Sequence, residues 1–424
     1  VRHRASNRRR LPLFALIGPG VLIAATGVGA GDLLTASLAG SKLGLVLVWA
    51  AVAGAALKWF LTEGIARWQM ATGTTLLEGW VDRLGAWIRW AFLVYLLGWT
   101  VFTGGALINA CGVAGTGLLP LAADPRTSKI LWGLIHSLGG AILVWAGGFR
   151  LFERLMSACI GVMFIAVMAT AILARPDWTA VGQGLLAPRI PEGGLGWTLG
   201  VLGGVGGTVT LLSYGYWIRE KGREGTDGVR ACRLDLAVGY AMTALFGVAM
   251  IIIGSRVQLE RGPGIALELA GQLSAALGPL GKWIFLTGFW GAVFSSLLGV
   301  WQSVPYLFSD FITLRRGSIG RREGRRDLDR SPAYRAYLVF IAVAPLPLLW
   351  LSLERAQLTY AVLGSLFMPF LALTLLLMNN RRRWVGAGFR NGWITNAVLV
   401  ATLAFFSYTA VRKAVETVST LLHP

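Results

Sequence analysis

The sequence predicts an all-α integral membrane protein of eleven transmembrane helices, and three observations predict it. Of 424 residues, 55% are hydrophobic and only 14% are charged, against roughly 25% charged in an ordinary soluble domain. Too few polar residues remain to cover the surfaces of two or three soluble domains. Long apolar runs alternate with short basic segments along the whole chain. The 56 glycines and 18 tryptophans complete the pattern, since glycine is tolerated inside membrane helices and tryptophan anchors their interfaces.

A span needs about 20 apolar residues. The candidates lie at 12–40, 45–70, 87–112, 129–147, 151–173, 196–218, 234–255, 282–310, 333–350, 352–378 and 392–413. A basic tail (1–11) precedes a first group of five spans (12–173). A loop (174–195) leads to a second group of five (196–378). A further loop (379–391) and an eleventh helix with its tail (392–424) follow. The apolar run from Leu11 is too long for a cleavable leader and is expected to be a retained first span.

With the amino terminus in the cytoplasm, 24 of the 39 basic residues fall on the cytoplasmic side and 11 on the outer side. That bias predicts a multi-pass protein of the cytoplasmic membrane with its carboxyl end outside, and makes the loop 174–195 extracellular. The basic excess is thereby an orientation signal and does not point to nucleic acid. Cys111, Cys159 and Cys232 have neither metal-ligand spacing nor an even number for a disulfide framework. No phosphate-binding loop or nucleophile motif suggests an enzyme.

Function is expected where helices ought to fail. The first span carries Gly27, Gly29, Gly31 and the carboxylate Asp32 in its middle, and the sixth carries Gly203, Gly204, Gly206 and Gly207 before Thr208 and Thr210. Glycine runs also suit plain helix packing. A carboxylate at membrane depth is costly and usually functional, however, and Gly-interrupted spans at matching places in two halves point to an inverted-repeat transporter. Glu63 and Arg67, four apart, suit an ion pair or a proton relay. Lys58 could snorkel. His136 could shuttle a proton or pack with a hydrogen bond. Gln302 suits a cavity lining or an interfacial position.

The chain resembles the Nramp family of divalent-metal transporters. GPG at Gly18–Gly20 matches the opening of that family's first span, and GAGD at Gly29–Asp32 falls on its DPGN break. The stretch from Ser365 to Gly386 is similar to its tenth span and basic exit. The resemblance implies a LeuT-like inverted repeat of 5+5 spans plus one extra helix, with helices 1 and 6 broken. It also implies proton-coupled transport of manganese or iron around a midplane site. The match departs at the implied ligands: the family Asp falls on Gly29, its Asn on Asp32 and its sixth-span Met on Thr210. The first His of that segment falls on Leu212, and the tenth-span glutamine on Ala361. The third span holds no acidic residue between Trp87 and Asn109.

Oxygen ligands without a thioether favour a hard cation such as magnesium. The expected site is Asp32 as charged ligand, with Thr210, Ser213 and the backbone carbonyls around Gly29 and Val209 as neutral ones. Tyr214, Tyr216 and Gln302 are expected to line or gate the cavity. Glu63 and His136 are the candidate proton relay. The expected function is secondary transport of a divalent cation. Transport of a small organic solute or monovalent ion, and a non-transporting receptor or scaffold, are the alternatives. No cofactor is expected, and the partners are the small substrate and membrane lipid, with the chain a monomer.

Overall fold

A computed structural model describes residues 18–204, 206–223, 225–257, 265–315 and 330–422. Within these, a number of side chains, Asp32 among them, lie outside the described set. The described residues form helices only. The first span is two helices, α1 (Pro19–Gly27) and α2 (Ala30–Leu43), separated by Val28 and Gly29. A 3-10 turn leads to α3 (Val48–Thr72), whose 25 residues extend about 37 Å and exceed the ~30 Å hydrocarbon layer. The short α4 (Leu76–Leu84) starts at a capping box, with Thr75 and Glu78 each bonding the other's backbone amide.

Next come α5 (Ala86–Leu118) and α6 (Pro125–Leu173). The latter holds two apolar stretches, Pro125–Gly147 and Leu151–Leu173, each long enough to cross a membrane. The 174–195 loop contains a helix, α7 (Trp178–Leu186), capped by the Asp177 carboxylate. The sixth span is again divided, into α8 (Leu195–Gly204), a 3-10 turn at Val209–Leu212, and α9 (Ser213–Glu220). Then follow α10 (Gly225–Gly254), α11 (Ile265–Arg315), α12 (Pro332–Val343), α13 (Leu353–Asn379), α14 (Arg382–Val385) and α15 (Trp393–Leu422).

Among the described residues, seven helical stretches are long and apolar enough to cross a membrane, with shorter apolar runs at Leu366–Asn379 and Trp393–Thr409. The two divided spans fall short by length because each is interrupted at its glycines. Large apolar side chains face outward around the bundle: Val94 and Ile165 are each 71% exposed, which suits lipid contact and not water. Tryptophan is not confined to interfaces, because Trp68, Trp80, Trp99, Trp217 and Trp301 are fully buried core residues.

Glycines set how closely the helices cross. A Cβ at Gly20 would collide with the Asp235 carbonyl, and one at Gly239 with the Gly20 carbonyl. The same reciprocal contact joins Gly40 to Ile251 and Gly254 to Ser37. Backbone therefore meets backbone where α10 crosses both α1 and α2, as small residues permit between membrane helices.

Candidate functional site

The two interrupted spans meet at their breaks. A Cβ on Gly27 would lie 2.6 Å from the Gly206 carbonyl carbon and 2.9 Å from the Gly207 nitrogen. Gly206 and Gly207 have φ of 92° and 83°, a left-handed backbone that glycine adopts without the Cβ penalty. This turn takes the chain out of α8 and delivers Thr210 to a small cavity. Its polar lining is Thr26, Thr103, Thr210, Ser296, Gln357 and Tyr360.

One of these groups closes an end the first break leaves open. Ser296 donates to the Val28 carbonyl at 2.9 Å, and the Trp99 indole donates to Thr208 Oγ1 at 3.2 Å. Thr26 turns back to the Leu22 carbonyl at 2.8 Å. Thr103 Oγ1, Thr210 Oγ1 and Gln357 Oε1 are buried and have no hydrogen-bond partner among the described residues. Unpartnered buried oxygens are uncommon and call for an explanation; three around one cavity suit a cation or its water. The cavity volume is about 20 Å³, room for roughly one water-sized guest.

Lys58 stands behind the sixth-span break. Its side chain is fully buried, and the ammonium donates to the Gly207 carbonyl at 2.5 Å and the Gly203 carbonyl at 3.3 Å. The side chain turns inward and does not snorkel. The carbonyls at the broken end of α8 lack the amides a continuing helix would supply, and the ammonium supplies donors in their place.

At the end of the bundle that holds Gly18, a second network ties the spans. Asp235 on α10 accepts the Gly18 and Gly20 amides at 3.0 and 2.9 Å, the Tyr214 hydroxyl at 3.1 Å and the Arg223 guanidinium at 2.7 Å. Beside it, Lys221 pairs with Glu153 at 2.6 Å.

Residues 20–416 match the family model described as Nramp, natural resistance-associated macrophage protein-like. The chain belongs to the Nramp family. The chain is 25% identical over 313 residues to the divalent metal cation transporter MntH of Chromohalobacter salexigens, covering 66% of this chain and 72% of that one. A variant of the Eremococcus coleocola manganese transporter superposes with a TM-score of 0.80 at 18% identity, covering 97% of this chain and 88% of that one. A nucleobase-cation-symport family transporter superposes at 0.54 with 13% identity, over 95% of this chain and 93% of its own. The fold is thus an all-α, multi-span membrane fold related to LeuT-type transporters.

Within this Nramp chain, the sequence-predicted residues separate into two sets. Gly29 and Thr210 line the cavity, and Val209 lies in the turn beside them. Ser213 opens α9 with its hydroxyl buried and unpartnered among the described residues. Asp32 lies on α2, three residues past the break; its side chain is outside the described residues.

The other set lies elsewhere. Tyr214 belongs to the Asp235 network, and Tyr216 donates to Asp310 at 2.8 Å, an acceptor shared with Thr75. Both phenols anchor α9 to its neighbours, and neither is among the residues that line the cavity. Gln302 accepts the Trp217 indole at 2.8 Å and lines a separate cavity of about 320 Å³ with Arg330 and Arg335.

The proposed proton relay is likewise engaged. Glu63 holds Arg67 at 2.9 Å and Arg233 at 2.8 Å, so its carboxylate serves a three-residue ion cluster. His136 contacts the Trp132 carbonyl through Nδ1 at 2.8 Å and accepts the Trp290 indole at Nε2, 2.9 Å away. That pattern fits the neutral imidazole protonated at Nδ1.

Sequence reasoning missed Gln357. It reaches the cavity and donates to the Ala106 carbonyl at 3.3 Å, one helical turn before Ala361, where the family glutamine was expected. Among the described residues no cluster of three His, Cys, Asp or Glu side chains could hold a metal, so the described lining is neutral oxygen.

Proposed function

We propose that this chain is a secondary transporter that moves a divalent metal cation, magnesium- or manganese-like, across the membrane by alternating access. Two broken helices meeting at a polar midplane cavity are the working parts of such carriers. The observation that carries the reading is the trio of buried, unpartnered oxygens on Thr103, Thr210 and Gln357 around that cavity. Hard oxygens without a thioether favour magnesium, which keeps several of its waters.

Asp32 is the proposed charged ligand, with the carbonyls around Gly29 and Val209 and the Ser213 hydroxyl adding neutral ones. The finer architecture proposed is a LeuT-like repeat of five and five spans with an eleventh helix. The amino terminus is proposed to be inside and the carboxyl terminus outside, supported by the 24 to 11 basic bias. The Asp235 network then closes the cytoplasmic end. A cavity of about 20 Å³ has room for an ion or a water.

Calorimetric titration of the purified protein with magnesium, manganese and calcium tests the reading. Saturable heat with at least one ion, weakened about tenfold in Thr210→Val, is the expected result. Binding from an organic library with no metal heat would contradict it.

A further inference from the structure

Lysine is seldom fully buried, because an ammonium removed from water must recover its hydrogen bonds from the protein. Lys58 recovers them from the Gly203 and Gly207 carbonyls, at the carboxyl-terminal end of α8. There the helix dipole favours a cation. The Phe406 ring, 6.0 Å from the ammonium, adds a cation-facing surface. The fit is built from both sides: a Cβ at Gly206 would press within 3.2 Å of Lys58 Cγ, so the lysine stem fills the space the left-handed glycine leaves. On its other side the same turn touches the cavity, since a Cβ at Gly207 would lie 2.6 Å from Thr210 Oγ1.

Backbone carbonyls at an unwound helix are the kind of group that binds monovalent ions in membrane carriers and channels. We propose that Lys58 is a tethered cation that takes the place of such an ion. It holds the sixth-span break in shape from within the chain, so that transport needs no bound sodium or potassium. Lys58 acts through Gly207 on the position of Thr210 and is a positioning residue, not a ligand of the transported ion. The proposal rests on the transport reading above and adds its independence of monovalent metal ions.

The test uses the full chain in liposomes. Wild-type divalent flux is expected to be unchanged when sodium and potassium are replaced by N-methylglucamine. Lys58→Ala, which empties the ammonium's place, is expected to lose about tenfold or more in flux through a raised KM, and potassium or methylammonium should restore it several-fold. Lys58→Met, which refills the space without charge, should lose as much and respond to neither ion. In detergent, the same ions should raise the thermal midpoint of Lys58→Ala and leave that of Lys58→Met unchanged. Lys58→Ala recovered unfolded should fold when purified in potassium or ammonium chloride, and Lys58→Arg should fold without either.

A folded Lys58→Met with wild-type KM and rate would overturn the proposal, as would a wild type that requires sodium or potassium. A Lys58→Ala protein indifferent to both ions, in flux and in melting or refolding, would overturn it too. The melting experiment needs no flux. A wild type that carries no divalent ion would therefore end the transport reading while the melt still decides on Lys58.

Discussion

The Asp235 carboxylate accepts the Gly20 amide at 2.9 Å across 215 positions of sequence. The first amides of α1 have no partner within their own helix, and a carboxylate near a helix amino terminus is favoured by the dipole. Asp235 provides this cap from another span, and it also receives Tyr214 of α9 and Arg223. One side chain thus gathers an end from each interrupted span.

Removing that side chain should be severe. Asp235→Ala removes the carboxylate that meets the Arg223 guanidinium at 2.7 Å and caps the Gly18 and Gly20 amides, and breaking a buried pair from one side costs about 3–5 kcal/mol. Thermal unfolding in detergent should show a large drop in midpoint. A midpoint equal to wild type would contradict the role of the network.

The cavity oxygens should affect substrate affinity and leave the fold intact. Thr210→Val and Gln357→Leu remove acceptors of cation or water, each worth roughly 1.5–3 kcal/mol when the partner is charged. The expected result is a raised KM for divalent flux of about tenfold or more in each, with melting unchanged in Thr210→Val and lowered slightly in Gln357→Leu, which also gives up its bond to the Ala106 carbonyl. Equal KM in both variants would remove these residues from the site.

Glu63 and His136 should matter for stability and not for proton drive. Glu63→Gln strips the charge partner from the buried Arg67, and His136→Phe strands the Trp290 indole N–H, at about 1–3 kcal/mol. Both variants should melt earlier, yet respond to a pH gradient across the liposome as wild type does. A changed gradient response in either would restore it as a relay.

Much of the fold was legible because its cause is local. Apolar length marks a span, and glycine runs mark a break: the first break falls at Val28 and Gly29, and the second runs through Gly206 to Thr208. Asp32 consequently lies in the helix after the break and not in the unwound segment. The rest depends on distant partners. Lys58 turns inward because carbonyls 145 and 149 residues away receive it. Tyr214 and Tyr216 leave the cavity because Asp235 and Asp310 bind them. Gln357 and Ala361 share one helix face, being four residues apart, so periodicity alone could not place the amide.

The cavity between the two breaks is the proposed path of the divalent cation. Uptake into proteoliposomes measures it most directly, with magnesium, manganese and calcium as substrates and Asp32→Ala alongside the wild type. Saturable flux of at least one of these ions is expected in the wild type, and its loss in Asp32→Ala. Wild-type liposomes that take up none of them, from protein that is folded and correctly inserted, would contradict it.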